Sequence, residues 1–355
     1  MSERMKAAVY HGIGDIRVEQ VTAPEPGPRD VLLAVKAVGI CGSDLHVYRR
    51  GMYDAQPGRI MGHEFSGEVV ALGDEVAGVA LGERYTGFTI RYCGECWACM
   101  HGQPRLCAKL FAGYSGYGKP GAMAEYVLIE DAVVGENLFA IPDVLTDEVA
   151  AMAEPLGTAI YTGFRVKPQA GDKVVVIGAG LIGNLVVQAF KAMADIKVIV
   201  TEISSERADL ARRVGADVVI DASREDLFEA VQDETGVGAY AFGPSALADI
   251  VIDAAAGPST FNQALNFVRS KGTVGLVGSP EEPGPTDTGL IINKDIRIIG
   301  IFGSTIPHGL QFLEEGKIET DSLISHRFTL DDAAEAFRIA ADPSSTKVMM
   351  LSSVA

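Results

Sequence analysis

The sequence predicts an α/β protein of two domains, one β-rich and one a doubly wound parallel sheet. Three observations carry that reading. The chain is 355 residues long, more than one ordinary domain holds. Its first half is a series of short apolar or alternating segments cut by Gly, Pro and Asp, the pattern of strands and tight turns. From residue 155 onward apolar strands alternate with stretches of helical period, the pattern of a parallel sheet wound with helices.

In order along the chain, strands are expected over Met5–Tyr10, Asp15–Val21, Asp30–Val38 and Gly62–Leu72, followed by an irregular lobe over 93–120. Lys173–Ile177 reads as a buried strand. The helix Leu181–Met193 follows, with Leu181, Leu185, Gln188 and Ala189 at helical spacing beside Ile182, Val186, Phe190 and Met193. The strands Lys197–Thr201 and Asp217–Ile220 flank a helix over Ser205–Val214, and Ala248–Asp253, Gly272–Val277 and Ile296–Ile301 are further strands. A helix over Pro307–Glu315, a strand-like His326–Leu330 and a helix over Leu330–Ala341 complete the chain, with no internal repeat.

Composition removes several function classes. With 48% hydrophobic and 22% charged residues the chain buries large cores, so disorder does not describe it. Thirty Lys and Arg against 47 Asp and Glu give a net charge of −17, which repels nucleic acid and anionic membranes. The start MSERMKAAVY has no apolar stretch of a signal peptide. The longest uncharged run, Val174–Phe190, holds glycines, Asn184 and Gln188 and is short for a bilayer. Five cysteines, four of them between 93 and 107, do not form the even framework of a small secreted protein. A cytoplasmic protein is expected.

Gly178-Ala179-Gly180-Leu181-Ile182-Gly183 follows a strand and opens a helix, the context of a dinucleotide-binding loop. The glycines permit the sharp turn, close approach of a pyrophosphate and tight helix–strand packing, with the phosphates at the helix N-terminus near Leu181 and Ile182. Glu202 ends the next strand, where a carboxylate accepts from a ribose 2′-OH and repels a 2′-phosphate, favouring NAD over NADP. Arg207 pulls the other way, since a nearby Arg accommodates that phosphate; it can equally cover the adenine or lie on the helix surface. Gly278 and Ser279 sit at a strand C-terminus, where ligands of such sheets bind. Phe302 and Gly303 follow the last strand and are candidate neighbours of the nicotinamide.

Two metal sites are expected. Cys41, His63 and Glu154 offer a thiolate, an imidazole and a carboxylate, a donor set that suits zinc with one position left open. Cys93, Cys96, Cys99 and Cys107 offer four thiolates, which suit a closed structural zinc site. A bacterial iron–sulfur run begins with the same spacing but has its fourth Cys after three residues and before Pro. Here it comes after seven, before Ala108.

In this order, GICGSDLH, GHEFSGEV, the CxxCxxC cluster, AEPLGTAIY and VVVIGAGLIG resemble the zinc-dependent medium-chain dehydrogenase/reductase family over almost the whole chain. The Glu of AEPL, where other alcohol dehydrogenases carry Cys, resembles the sorbitol (polyol), threonine and butanediol dehydrogenase branch. The resemblance implies a GroES-like catalytic domain over 1–155 and 295–355 and a Rossmann NAD-binding domain over 156–294. It implies that Cys41 and His63 ligate a catalytic zinc. Glu64 is then a ligand or sits just behind the metal, and Glu154 is the fourth ligand or holds the water on it. Ser43 and His46 match the family's proton relay, although a His three residues after Ser43 is also an ordinary surface position. Tyr53, Phe88, Phe111, Tyr114 and Tyr117 fall in segments that line the substrate pocket or simply pack.

The expected activity is reversible, NAD-linked oxidation of a secondary alcohol, polyol or vicinal diol to a ketone, with a small-molecule substrate and a homodimer or homotetramer. An outer strand Ile296–Ile301 is the expected place for sheet extension between subunits. Two alternatives are a dehydrogenase of bulky or cyclic apolar secondary alcohols and a non-catalytic dinucleotide-binding protein.

Overall fold

In the run VLLAVKAVG every residue but Lys36 is buried, which requires partners along both edges and cover on both faces. The computed structural model, which describes residues 3–53 and 55–352, supplies them. Val31–Gly39 pairs antiparallel with Glu64–Leu72, Lys347–Leu351 and Tyr126–Ile129. The seven-stranded sheet runs Ile324–Thr329, Lys347–Leu351, Val31–Gly39, Glu64–Leu72, Arg84–Gly87, Leu138–Ala140, with Tyr126–Ile129 off that path. A second antiparallel sheet joins Asp15–Thr22, Arg4–Gly12 and Arg59–Ile60. Leu33, Phe65, Met123, Ile129 and Phe337 are fully enclosed in the shared core, each worth roughly 1.5–3 kcal/mol of burial. These elements belong to one unit, formed by residues through Glu154, Ile306–Glu314 and the chain from Ile324 on.

The other unit comprises Pro155–Thr305 and Glu315–Leu323. Its six parallel strands lie in the order Val218–Asp221, Lys197–Glu202, Lys173–Ile177, Ala248–Asp253, Val268–Leu276, Arg297–Gly300. The first of them in the chain, Lys173–Ile177, is central, and the winding reverses between it and Ala248–Asp253. That reversal leaves a crevice at the strand C-termini where dinucleotides bind in this topology.

Most expected elements are present, and the differences have local causes. The domain boundary expected at 295 falls later, because Arg297–Gly300 is hydrogen-bonded to Val268–Leu276 as the edge of the parallel sheet. The strand expected from Gly272 begins at Val268. The lobe over 93–120 contains a helical turn, Trp97–Met100, and a tighter one, Pro104–Leu106. The helices Leu227–Thr235 and Thr288–Lys294 lie outside the expected set. They are too short to show a clear period, yet Asp226 and Asp287 cap them by accepting from two backbone N–H groups each. Among the described residues no helix is long and apolar enough to cross a membrane.

Candidate active site and metal centres

The mixed-donor site is assembled by strand register. Gly39 ends the central strand and lies opposite Glu64 on one neighbour and Met349 on the other. Lys347, two residues before Met349, is thereby brought against Glu64. A Cβ on Gly39 would stand 2.7 Å from a Glu64 carboxylate oxygen and 3.2 Å from the Lys347 Nζ, so only glycine leaves room for the pair. Lys347 Nζ donates to Glu64 Oε2 in a buried ion pair and to Ile40 O at 2.9 Å. Two residues after Gly39 the chain reaches Cys41, the N-cap of the helix Gly42–Arg50. Asp44 Oδ2 accepts from the Cys41 N–H at 2.9 Å, and its Oδ1 stands 3.9 Å from His63 Nδ1.

Donor atoms of Cys41, His63 and Glu64 all lie within 4.8 Å of one another. Glu154, at the start of the helix Ala153–Val166, is not in that close set, though its charge acts on His63. Burial pushes the Cys41 thiol and the Asp44 carboxyl up. Burial also pushes Glu154 up to about 7, with Glu64 adding to it and His63 opposing. Burial works against the His63 and Lys347 cations, but Cys41 and Asp44 outweigh it at His63 and Glu64 and Cys41 outweigh it at Lys347, so both are raised. Four acidic groups thus face two cationic ones in an enclosed space, and His63 Nδ1 is buried with no hydrogen-bond partner among the described residues. A thiolate, an imidazole and a carboxylate in that field fit a zinc ion.

Ser43 and His46 share the helix that Cys41 caps. Tyr117 Oη donates to Ser43 Oγ at 2.7 Å. An aromatic wall continues from there. Ring centroids of Tyr117 lie 5.3 Å from His63, 5.6 Å from Tyr114, 5.7 Å from Tyr53 and 5.0 Å from Phe111. Phe88 joins through Tyr114 at 6.0 Å, and His46 reaches Tyr53 at 6.4 Å. Tyr53 holds a left-handed backbone, φ 60°, an uncommon conformation for a bulky residue.

The four thiols of Cys93, Cys96, Cys99 and Cys107 also lie within 4.8 Å of one another. Cys93 and Cys99 are 3.9 Å apart, close to the ~3.8 Å edge of a tetrahedron with zinc–sulfur bonds of about 2.3 Å. Backbone N–H groups are aimed at the sulfurs: Cys93 and Lys109 donate to Cys107, and Cys96 donates to Cys93. The Ala108 and Cys99 N–H groups hold the Cys96 thiol down to about 6. Burial, with the neighbouring thiols adding to it, pushes Cys99 up to about 12. Four thiolates at this spacing cannot all be charged without a cation between them, and the donor set fits zinc.

In the other unit Gly180 caps the helix Leu181–Met193, whose first N–H groups, at Leu181, Ile182 and Gly183, precede the first helical bond from Asn184 to Gly180 O. A Cβ on Gly183 would stand 2.0 Å from Gly178 O, so helix and strand meet without a side chain between them. Buried Asn184 donates to Ala179 O and Gly180 O and holds the loop from inside the helix. Glu202 is buried, accepting from the N–H groups of Ala179 at 2.6 Å, Ile203 at 2.7 Å and Ser204 at 2.9 Å. Arg207 lies beside Gly180, 3.9 Å from the place a Cβ would take. Gly278 crosses Ala256 closely at the strand C-termini. Phe302 is half-exposed and Gly303 has φ +134°.

Asp44, Lys347 and Asn184 were outside the sequence expectation. Lys347 had a signal: one lysine opening the apolar strand KVMML needs a buried counter-charge.

Comparison with known proteins gives a consistent result. Residues 27–143 match the family model described as alcohol dehydrogenase GroES-like domain, and 182–315 match zinc-binding dehydrogenase. The sorbitol dehydrogenase of Bacillus subtilis is 32% identical over 340 residues, covering 94% of this chain and 93% of that one. The L-threonine 3-dehydrogenase of Pyrococcus horikoshii is 35% identical over 364 residues, covering 99% of each. Among solved structures, a protein of Sinorhizobium meliloti described as a zinc-binding dehydrogenase bound to NADP superimposes with a TM-score of 0.88 at 32% identity, covering 99% of this chain and 100% of that one.

Proposed function

The chain belongs to the zinc-dependent medium-chain dehydrogenase/reductase family and is an oxidoreductase of CH–OH groups that uses zinc and NAD; on that premise we propose how its residues divide the work. The reaction is reversible oxidation of a secondary alcohol, polyol or vicinal diol to the ketone. The first unit is the zinc-binding catalytic domain and the second the NAD-binding domain. Cys41 and His63 hold the catalytic zinc, with Glu64 turning the oxygen not taken by Lys347 toward it and Glu154 as the further carboxylate. Cys93, Cys96, Cys99 and Cys107 hold the structural zinc. When bound, zinc supplies Lewis acidity toward an alcohol oxygen and NAD the hydride acceptor.

Ser43 Oγ accepts the alcohol proton, and His46, one helical turn on, passes it toward solvent. Asp44 braces Cys41 through its backbone N–H and sets its charge near His63, and Lys347 holds Glu64 in place. Leu181, Ile182 and Gly183 present their N–H groups to the pyrophosphate across the turn made by Gly178 and Gly180. Glu202 faces the adenosine ribose with its carboxylate, which supports NAD over NADP; Arg207 covers the adenine side. Gly278, Phe302 and Gly303 border the nicotinamide. The single observation that carries the reading is the convergence of Cys41, His63 and Glu64 within 4.8 Å, with the Ser43 hydroxyl on the helix that Cys41 caps.

The aromatic wall supports a second reading, a bulky or cyclic apolar secondary alcohol as substrate. NADH formation is to be measured with sorbitol, 2,3-butanediol, L-threonine and cyclohexanol. Fastest turnover of an open-chain substrate supports the first reading, fastest turnover of cyclohexanol the second. NADH binding without turnover of any alcohol rejects both.

We further propose a homo-oligomer, dimer or tetramer, on the half-exposed Ile298 of the edge strand Arg297–Gly300, and a cytoplasmic location, on five unpaired cysteines.

A further inference from the structure

We propose that Tyr117 is a positioning residue for the proton relay: its phenol O–H fixes the Ser43 hydroxyl so that one Ser43 lone pair is held toward the substrate. The inference rests on the reading of Ser43 as the first proton acceptor. Three observations carry it. Tyr117 Oη donates to Ser43 Oγ at 2.7 Å, across 74 residues of chain. The Tyr117 ring is enclosed by His63, Tyr114, Tyr53 and Phe111, so its hydroxyl has no other place to go. The loop carrying Tyr117 is itself seated on the backbone beside His63. Gly116 has φ +81°, and a Cβ there would stand 2.9 Å from Gly62 O. Ser115, fully buried, exchanges hydrogen bonds with the Thr89 backbone.

A serine hydroxyl has one hydrogen and two lone pairs, and it rotates to suit its neighbours. The Tyr117 O–H occupies one lone pair. One lone pair and the Ser43 hydrogen remain. In alcohol oxidation the free lone pair takes the substrate hydroxyl proton while the Ser43 hydrogen passes on toward His46, so Ser43 stays neutral. Tyr117 keeps its own hydrogen throughout, and the same positions run in reverse for ketone reduction. Without the phenol O–H the Ser43 rotor samples orientations that cannot accept the proton.

Tyr117→Phe removes only that oxygen and keeps the ring in the wall. The test is a cycle of Tyr117→Phe, Ser43→Ala and the double variant in the zinc-loaded enzyme, with saturating NAD and whichever of sorbitol, 2,3-butanediol, L-threonine or cyclohexanol the unaltered protein oxidises fastest. Tyr117→Phe is expected to lower kcat about tenfold, the worth of one hydrogen bond, with KM within about twofold, and unchanged zinc content and melting temperature. In the Ser43→Ala background it is expected to cost nothing further. Full activity of Tyr117→Phe overturns the assignment, as does an equal loss with and without the Ser43 hydroxyl. A rise in KM at constant kcat makes Tyr117 a substrate-binding wall residue and equally overturns it. Absence of turnover by the unaltered, zinc-loaded protein is a different failure: it rejects the dehydrogenase reading beneath the proposal.

Discussion

The two donor clusters of the first unit are built in opposite ways. The four thiols come from fifteen consecutive residues, and the backbone N–H groups of the same loop support them. Cys41, at a helix N-cap, and the adjacent His63 and Glu64, at the start of the strand Glu64–Leu72, come from two separate segments, and their support comes from buried charges: Asp44 on the helix that Cys41 caps and Lys347, 283 residues from Glu64. A local cluster of four soft ligands makes a closed site that stabilises a lobe. A cluster drawn from across a core has an open position and a tuned field, which is what chemistry requires. The difference teaches that the three-donor site depends on the whole fold of its unit, while the thiol lobe depends on itself.

Cys41→Ser is the strongest way to break that contrast. It should remove one zinc per chain and lower kcat by at least about a thousandfold, while NADH still binds; metal analysis, turnover and NADH fluorescence check each part. Retained activity would mean that Cys41 is not a ligand. Lys347→Met tests the remote support. It leaves the Glu64 carboxylate buried without its counter-ion, a cost of roughly 3–5 kcal/mol, which lowers the melting temperature by on the order of 10 °C. An unchanged melting temperature with lowered activity would show instead that Lys347 acts on the site alone.

Cys107→Ala should have a smaller and more local effect. Loss of the second zinc and of the lobe's closure should cost roughly 2–3 kcal/mol, about 5–10 °C in melting temperature. NADH binding should be unaffected, because the thiols and the glycine loop belong to different units. Titration with a chelator sharpens the same contrast. The three-donor site should release its metal first, so activity falls after one equivalent and melting temperature only after the second. Loss in the opposite order would put the more labile metal in the thiol lobe.

Legibility in the sequence follows the same division. The glycine loop and the four cysteines could be read from spacing because their geometry is decided within a few residues. Cys41 and His63 are twenty-two residues apart and drew meaning only from the family pattern around them. The partner of Lys347 and the Tyr117–Ser43 bond were not legible, since each depends on strand register or loop seating between distant segments; Asp44 lies three residues from Cys41, and its bond to the Cys41 N–H is local. Glu202 was singled out for its place at the end of a strand, and its hydrogen bonds add a structural part to that expectation. The carboxylate expected at a ribose also ties the glycine loop to the next turn through three backbone N–H groups.

The smallest predicted effect compares Lys347 with the buried lysine of the other unit. Among the described residues Lys294 Nζ faces no carboxylate; it donates to the carbonyls of Leu265, Asn266 and Val268 at the end of the helix Thr260–Phe267, beside the Tyr240 ring. Burial pushes it down to about 8, whereas Lys347 is held above its ordinary value. Below pH 8 Lys294 is protonated in both folded and unfolded chains, and its burial penalty is present in full. Between about 8 and its ordinary value of 10.5 the unfolded chain binds more protons, so the penalty is relieved and stability rises with pH. Below pH 8 Lys294→Met should cost about 1–3 kcal/mol by leaving the carbonyls unpaired. The gap between wild-type and variant stability should then widen from pH 8 to 10, as urea unfolding would record. A constant gap would mean that the three carbonyls hold the proton on Lys294, and that dipoles there do the work that Glu64 does for Lys347.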